Sequence, residues 1–361
     1  MEQAELIIGV HSSGESDSDA KALIEAFRKN GAKAFTTQEC DAQNLVPNLT
    51  IGYDSTGISG WQKYLNKNIT NIMWSSGSVF EKNTDFVEQF AKMPNFILLT
   101  STPCDTEPVG RFFASLKHGA LIHGAKPAEN QKNFSQREYD FLFSSDIVDI
   151  DEKMAELKAK MPEFVYKMMM DMYHISSSNP VLSFWQIYKL FCENFGLAVD
   201  FEQYLLLFSN VAPLITSNKK IQMIKALKDF NVKVSGCEIW KKYIDGKVEY
   251  IGAADSSQFS NAKIVLHYQS VEMSMGLEKS MLEAAAAGAF ILSSKTPSIE
   301  SIFGCNMEYF DSAEFKDIAQ KADYLLKNLP ECEKRAENVL QSLRNENSLE
   351  KRVGEILGLV R

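Results

Sequence analysis

The chain has 361 residues, of which 45% are hydrophobic and 24% charged, and its formal net charge is -9. This composition excludes a disordered chain, and the length exceeds the roughly 250–300 residues at which one hydrophobic core stops growing, so we expect two domains. The negative charge argues against nucleic-acid binding, because that affinity comes from Lys and Arg side chains that neutralise phosphates.

Six scattered cysteines show no close spacing of the kind that binds zinc or frames a small disulfide-rich domain, so we expect reduced thiols. No apolar run approaches the roughly 18 residues of a transmembrane helix, and the acidic start MEQAE differs from a signal peptide. We therefore expect a cytoplasmic protein without a transmembrane segment. Peripheral association with a membrane stays open.

Short apolar segments alternate with helix-like segments over residues 1–137. This alternation predicts parallel βαβ units, and hence a Rossmann-like N-terminal domain. The predicted strands are 5–10, 32–37, 49–54, 71–76, 95–101 and 120–124.

A strand predicted at 139–145 opens the second half, and a helical pattern follows over about 151–210. The Met and aromatic stripe of that block indicates ordinary helix packing rather than a hydrophobic ligand groove. Alternation then resumes with predicted strands at 232–236, 263–269 and 290–294. We expect an α/β protein with a second Rossmann-like domain, 138–361, which carries the helical block as an insertion and faces the first domain across a cleft.

The most informative segment is 263–300, in which a loop with Gly276 follows a strand and a helix then presents Glu283. Ala284–Ala287 allow that helix to lie close to the sheet, and Gly288 suits the left-handed turn that ends a helix. Because ligands of parallel sheets bind beyond the carboxyl ends of the strands, Glu283 is placed to accept hydrogen bonds from both hydroxyls of a ribose.

These motifs resemble bacterial glycosyltransferases of the GT-B fold, of the glycosyltransferase family 1 type and especially its CgeB-like spore-maturation branch. The resemblance covers about 138–361 and rests on KIVLHYQ, Gly276, Met281 with Leu282, Glu283, AAAAG and AFILSS. It implies sugar transfer from a nucleotide-sugar donor to a hydroxyl acceptor on a surface polysaccharide or a protein glycan, with the domain 1–137 on the acceptor side. The donor is a substrate, so no cofactor is expected. Glu283 would bind its ribose.

Further donor contacts are predicted around this helix and at two other places. Gly276, Lys279 and Ser280 precede Glu283, and Ser144 and Ser145 end the strand 139–145. Lys219 lies in SNKK (217–220), where Ser217 or Asn218 would cap a helix and the lysines would reach a diphosphate. An ordinary strand end and a solvated helix face are the alternatives.

Two histidines are candidates for the catalytic base, since imidazole accepts protons near neutral pH. His11 follows the first strand, and His123 ends the predicted strand 120–124. A strand-end histidine without catalytic role is the alternative for both. The acid pairs Asp17/Asp19 and Asp149/Asp151 have the spacing of a metal-binding DxD motif, but we expect no metal, because acids are also common at helix starts.

Two departures from the family pattern keep other functions open. Ser280 stands where many members have Arg, and Met275 stands where related enzymes have an acid. The alternative is a catalytically inactive GT-B-like scaffold that binds a sugar nucleotide or a protein partner. A sugar-binding or sensor protein is the third hypothesis.

Overall fold

A computed structural model of the chain describes residues 6–12, 17–53, 58–82, 84–126, 131–179 and 182–360. The chain divides into two compact units, Met1–Lys126 with Arg344–Arg361, and Pro127–Leu343. The domain limits proposed from the sequence, 1–137 and 138–361, stay a prediction. The compact units group the C-terminal residues with the N-terminal part of the chain.

The first unit is built on a six-stranded parallel sheet with the order β2-β1-β3-β4-β5-β6. Its strands are β1 (Ile7–Val10), β2 (Lys33–Thr36), β3 (Leu49–Tyr53), β4 (Thr70–Ser75), β5 (Phe96–Thr100) and β6 (Lys117–Ala120). The first five match predicted segments, whereas the prediction of a strand at 120–124 was wrong. Leu121 is buried beyond the end of β6, so its apolar character reflects core packing rather than strand position.

Six helices connect these strands: α1 (Ser18–Lys29), α2 (Thr37–Ala42), α3 (Ile58–Trp61), α4 (Val79–Lys82), α5 (Thr84–Phe90) and α6 (Thr106–Phe112). The Asp17 side chain caps α1 by accepting hydrogen bonds from the backbone N–H groups of Asp19 and Ala20. Leu23 and Phe27, which lie one turn apart on α1, are fully buried. The helix is thus fixed by its cap and by its apolar face.

The second unit contains another six-stranded parallel sheet, in the order β12-β11-β10-β7-β8-β9. Its strands are β7 (Tyr139–Ser144), β8 (Val232–Ser235), β9 (Glu249–Tyr250), β10 (Ala262–His267), β11 (Phe290–Ser294) and β12 (Glu308–Phe310). Parallel strands with covering helices confirm the predicted α/β class for both halves of the chain.

The predicted helical insertion is present between β7 and β8. It consists of α7 (Ile150–Lys160), α8 (Glu163–Ser178), α9 (Phe184–Phe195) and α10 (Phe201–Ala226). The aromatic stripe packs inside this block, since Phe184 and Tyr188 are buried, which agrees with the packing interpretation. No helix in the described part of the chain is long and apolar enough to cross a bilayer.

Helix α10 continues through the point at which the sequence predicted a new helix. Pro213 lies inside it, and Ser217 and Asn218 lie in its interior. The predicted helix cap at these residues was therefore wrong. Their side chains bond to other segments instead: Ser217 Oγ accepts from the Val148 N–H at 2.9 Å, and Asn218 donates to the Tyr173 hydroxyl at 2.7 Å.

The remaining helices are α11 (Lys279–Ala286), α12 (Pro297–Phe303), α13 (Ile318–Lys327), α14 (Leu329–Glu346) and α15 (Leu349–Val360). Helix α15 shares the core of the first unit with α1, and its Val353 and Ile356 are fully buried there. The Gly124 backbone lies so close to Leu349 that an added Cβ would be 2.4 Å from its Cα. The C-terminal helix is therefore an integral part of the first unit.

A buried carboxyl group joins two loops of the first unit. Asp105 is 2% exposed and accepts hydrogen bonds from the Ser78 hydroxyl and the Val79 N–H, both at 2.9 Å. Burial raises the pKa of Asp105 to about 7, with a smaller contribution from the charge of Glu81, although the two hydrogen bonds oppose the shift. The folded protein therefore binds a proton here that the unfolded chain, with the ordinary Asp pKa near 3.9, has already lost.

We expect the ionisation of Asp105 to lower the free energy of unfolding as pH rises from about 4 to 7, by at most roughly 1.4 kcal/mol per pH unit. Above pH 7 this group should cause no further change in the free energy of unfolding with pH. Chemical unfolding of wild type and Asp105→Asn across this range measures the effect, because the Asn side-chain oxygen still accepts both hydrogen bonds. The stability of the variant relative to wild type should increase with pH and then level off. A constant difference would show that Asp105 does not titrate in this window.

Candidate active site

The strand order of the second sheet defines where a ligand would bind. From β7 the chain continues outward to β8 and β9 on one side, whereas β10, β11 and β12 extend the sheet on the other side. The order therefore reverses between β7 and β10. At such a point the loops that follow the two strands lead in opposite directions along the sheet. Open parallel sheets bind ligands in the crevice beyond the carboxyl ends of these two strands.

A narrow pocket lies at this position. Its wall includes the ends of β7 and β10, together with the start of α11. The polar side chains that line it include Ser144, Ser145, Lys220, His267, Glu278 and Ser280. Three of these, Ser144, Ser145 and Ser280, are predicted donor-binding residues, so the structure brings them together in one pocket.

Lys220 supplies a buried positive charge to the pocket. It is 7% exposed, and its ammonium group donates to the Ser145 hydroxyl at 2.6 Å. Ser145 is fixed in turn, since its N–H donates to the Ser235 carbonyl and its own carbonyl accepts from the Trp240 indole. An ammonium group has three protons to donate, so Lys220 can bind an anionic group as well as Ser145.

The neighbouring Lys219, which the sequence singled out, has a different environment. Its ammonium group donates to the Ala313 carbonyl at 2.9 Å and lies 5.8 Å from the centre of the Phe315 ring. Burial lowers the pKa of Lys219. Because successive residues of a helix point about 100° apart, only Lys220 of the pair lines the pocket. A diphosphate contact by Lys219 stays a prediction.

A second charged group faces the pocket from the start of α11. One oxygen of Glu278, Oε1, accepts from the Ser270 N–H at 2.7 Å, and the other, Oε2, lies 3.6 Å from His267 Nε2. Burial on its own would raise the pKa of Glu278, but His267, Lys220 and the Ser270 N–H outweigh it and hold the pKa below its ordinary value. The carboxyl group is therefore ionised at neutral pH.

No role is predicted from the sequence for His267 or Glu278. Both lie where the sheet predicts a ligand, His267 as the last residue of β10 and Glu278 directly before α11. The signal that could have identified them is their position after a buried strand, because this is where parallel sheets present functional side chains.

Glu283 lies on α11 and is not among the residues that line the pocket. Its side chain is 38% exposed and lies 3.8 Å from the ammonium group of Lys279, one helical turn earlier. Gly276 is buried in the preceding turn, where its N–H donates to the Met273 carbonyl at 2.7 Å. The roles of Glu283, Lys279 and Gly276 in donor binding stay predictions.

Helix α11 ends as the sequence indicates. Gly288 has a φ of 73°, in the left-handed region that favours glycine. The Arg137 guanidinium donates to the Ala287 carbonyl at 2.7 Å and to the Ala262 carbonyl at 2.7 Å, and thereby joins the end of α11 to the start of β10. The predicted close approach of helix and sheet is confirmed, since Ala284 and Ala285 are fully buried.

The first sheet has its own reversal of strand order, between β1 and β3. His11 directly follows β1, and its N–H donates to the Ile51 carbonyl of β3 at 2.8 Å. The residue is 8% exposed, and the centre of its ring lies 6.2 Å from that of Tyr64. His11 thus occupies the position at which this sheet would bind a ligand. Residues 13–16 of the predicted HSSGESDSD loop lie outside the described residues.

His123 has a different environment. It follows the edge strand β6 and is 1% exposed, and its Nδ1 lies 2.8 Å from the Tyr53 hydroxyl. The imidazole also stacks on Trp74 at 5.2 Å between ring centres. The two histidines therefore lie at different strands of the sheet, and their catalytic roles stay predictions.

Both DxD pairs have structural roles. Asp17 caps α1, and Asp19 pairs with Lys126 at 2.9 Å. Asp149 caps α7 by accepting from the Glu152 N–H. Lys242 lies 2.9 Å from a carboxylate oxygen of Asp149 and 2.9 Å from one of Asp151. These contacts explain the acids at both helix starts without a ligand.

Residues 219–358 match the family model described as glycosyl transferase-like, and they include Lys220, His267, Glu278 and Glu283. No curated protein sequence matches the chain.

Among solved structures, sucrose-phosphate synthase from Thermosynechococcus elongatus is similar over 98% of both chains, with 10% identity and a TM-score of 0.52. The DNA-modifying enzyme β-glucosyltransferase is similar over 99% of both chains, with 9% identity and a TM-score of 0.52. TarM from S. aureus is similar over 86% of this chain and 55% of its own, with 12% identity and a TM-score of 0.51. These similarities show the GT-B fold. A glycosyl transferase-like segment within this fold confirms the prediction that the chain is a glycosyltransferase.

Proposed function

We propose that this chain transfers a sugar from a nucleoside diphosphate sugar to a hydroxyl acceptor, and that the donor diphosphate binds in the pocket between β7 and β10. The observation that carries the proposal is the buried ammonium group of Lys220 at the reversal of strand order. An enclosed cation strongly favours an anionic ligand, because the surrounding protein screens the attraction less than water does.

The reaction breaks the bond between the anomeric carbon and the diphosphate oxygen and forms one between that carbon and the acceptor oxygen. Lys220 stabilises the negative charge that develops on the departing diphosphate, together with the Ser145 hydroxyl. His11, which faces the ligand position of the first sheet, accepts the proton of the acceptor hydroxyl. Glu283 binds the ribose. No metal and no cofactor takes part.

The similar structures support a class of donor and acceptor. The β-glucosyltransferase structure concerns the substrate uridine diphosphoglucose, and the TarM structure contains UDP with α-GlcNAc-glycerol. We therefore propose a uridine nucleotide sugar as donor and a glycan or glycosylated protein as acceptor. The motifs around Glu283 favour the CgeB-like branch of the glycosyltransferase family 1 type. The unclustered cysteines suit a cytoplasmic enzyme, and peripheral association with a membrane stays open.

A thermal-shift panel of UDP-, GDP-, CMP- and dTDP-sugars on the full chain, in buffer with EDTA, tests the proposal. A ligand at 100 times its Kd stabilises the folded state by about 2.7 kcal/mol, so one nucleotide class should raise the Tm by several degrees. UDP-sugars are expected to give the largest shift, without added metal. No shift with any nucleotide sugar would contradict the function. A shift that requires magnesium or manganese would contradict metal independence.

A further inference from the structure

The loop after β7, which carries Ser145, is joined by hydrogen bonds to the loop after β8. Ser144 pairs with Ser235 at the ends of the two strands, and the Ser145 N–H donates to the Ser235 carbonyl at 3.0 Å. Two residues further on, the Ile147 N–H donates to the Cys237 thiol at 3.4 Å, and the thiol donates to the Ile147 carbonyl at 3.2 Å. The loop after β8 therefore fixes the course of the loop after β7.

A buried tryptophan of the loop after β8 fixes the Ser145 peptide group. The Trp240 indole N–H donates to the Ser145 carbonyl at 2.7 Å. Trp240 is fully buried, and its ring meets the Phe143 ring of β7 edge-on, with the ring centres 5.6 Å apart. Because a close-packed indole cannot shift without disturbing its neighbours, its N–H holds the Ser145 carbonyl in one direction.

Gly236 allows the two loops to approach each other at this point. Its φ of 143° lies in the region that favours glycine. An added Cβ would lie 2.8 Å from the carbonyl carbon of Ser145 and closer still to the carbonyl oxygen, and non-bonded atoms do not approach that closely. A side chain at residue 236 would therefore push the Ser145 carbonyl away from the Trp240 indole.

The position of the Ser145 peptide group in turn determines where the Ser145 hydroxyl lies. The hydroxyl oxygen accepts from the Lys220 ammonium group at 2.6 Å, and the hydroxyl proton points to the Asp146 carbonyl at 3.3 Å. An O–H···O bond of this length is weak, so the proton is available to a better acceptor. A phosphate oxygen bound by Lys220 is such an acceptor.

We propose that Gly236 and Trp240 are positioning residues for sugar transfer, which act through the Ser145 carbonyl to hold the Ser145 hydroxyl where it donates to the donor diphosphate. This inference rests on the proposed function, since it needs the diphosphate beside Lys220. Neither Gly236 nor Trp240 is among the residues that line the pocket, so both act on the donor through Ser145.

The test is titration calorimetry of the full chain with the nucleoside diphosphate that the panel selects. Ser145→Ala should weaken binding by about tenfold, because it removes a hydrogen bond to a charged group. Trp240→Phe keeps an aromatic ring against Phe143 and removes the indole N–H, and Gly236→Ala adds the Cβ that displaces the carbonyl. Each should weaken binding by about threefold to tenfold. Melting curves show which variants are folded, and either one of the two is sufficient for the test.

A second set of variants separates positioning from a general loss of stability. Trp240→Phe and Gly236→Ala are each combined with Ser145→Ala, and in this background each should change the affinity by less than about twofold, because the hydroxyl through which they act is absent. Their lower Tm should persist. A purely structural role predicts the same loss of affinity in both backgrounds.

Gly252→Ala is the matched control for Gly236→Ala. Gly252 also has a positive φ, 111°, and its carbonyl accepts from the Gly236 N–H at 2.9 Å, but an added Cβ would meet no atom within 4 Å. The variant should therefore share the backbone strain and the lower Tm, and it should keep wild-type affinity for the diphosphate.

The inference is overturned if Trp240→Phe and Gly236→Ala bind the diphosphate as tightly as wild type, or if they weaken binding equally with and without the Ser145 hydroxyl. It is also overturned if Gly252→Ala weakens binding as much as Gly236→Ala does, or if Ser145→Ala keeps wild-type affinity. In these cases the diphosphate still binds and the proposed function stands. Failure of wild type to bind any nucleoside diphosphate would instead contradict the proposed function itself.

Discussion

Replacement of Lys220 by Met is expected to weaken donor binding by about tenfold to a hundredfold. Hydrogen bonds to charged groups contribute about 1.5–3 kcal/mol each, and Lys220 is the buried cation of the pocket. The nucleoside diphosphate and the nucleotide sugar should lose similar affinity, because both carry the group that Lys220 binds. Titration calorimetry on the full chain measures both, with a melting curve to confirm that the variant is folded.

Lys219→Met is the matched control, since it removes the same charge one residue earlier on the same helix. Its ammonium group bonds to the Ala313 carbonyl, so the variant should lose some stability and keep its donor affinity. The comparison decides between the two lysines. If Lys219→Met weakens binding and Lys220→Met does not, the diphosphate lies elsewhere and the original prediction for Lys219 is correct.

Replacement of Glu283 by Gln is expected to weaken donor binding by about tenfold or more, because the carboxylate would lose charge-assisted hydrogen bonds from the ribose hydroxyls. The ion pair with Lys279 is partly exposed, and such pairs contribute only about 0–1 kcal/mol, so the Tm should stay close to wild type. The loss should be equal for UDP and UDP-glucose, because both contain the ribose.

Glu278, five residues before Glu283, is unsuitable as the control for this variant, because its side chain lines the pocket. Glu300→Gln is the better comparison, since Glu300 also lies on a short helix and pairs with an exposed lysine, Lys295, at 2.9 Å. Equal donor affinity of Glu283→Gln, Glu300→Gln and wild type would show that Glu283 does not bind the donor.

Much of the fold follows from the spacing of apolar segments. Short buried strands separated by amphipathic helices predict parallel sheets, and five strands of the first sheet lie where this pattern places them. The errors have local causes. Pro213 and the polar run around Ser217 suggest a helix break, but the structure continues α10 because these polar groups find partners on neighbouring segments.

The site was less predictable, because its residues come from three separate parts of the chain. Ser145 follows β7, Lys220 lies on α10 and Glu278 precedes α11, and only the strand order brings them together. Ser280, which departs from the Arg of the family pattern described above, lines the pocket that also holds the Lys220 ammonium group. The pocket therefore contains a cation, Lys220, although residue 280 is not Arg.

A crystal structure of the full chain with the nucleoside diphosphate that the panel selects would test the proposed donor site. The diphosphate is expected between the ends of β7 and β10, with a phosphate oxygen within about 3.2 Å of the Lys220 ammonium nitrogen. A diphosphate bound in the second unit away from Lys220 and Ser145, or bound to the first unit, would contradict it.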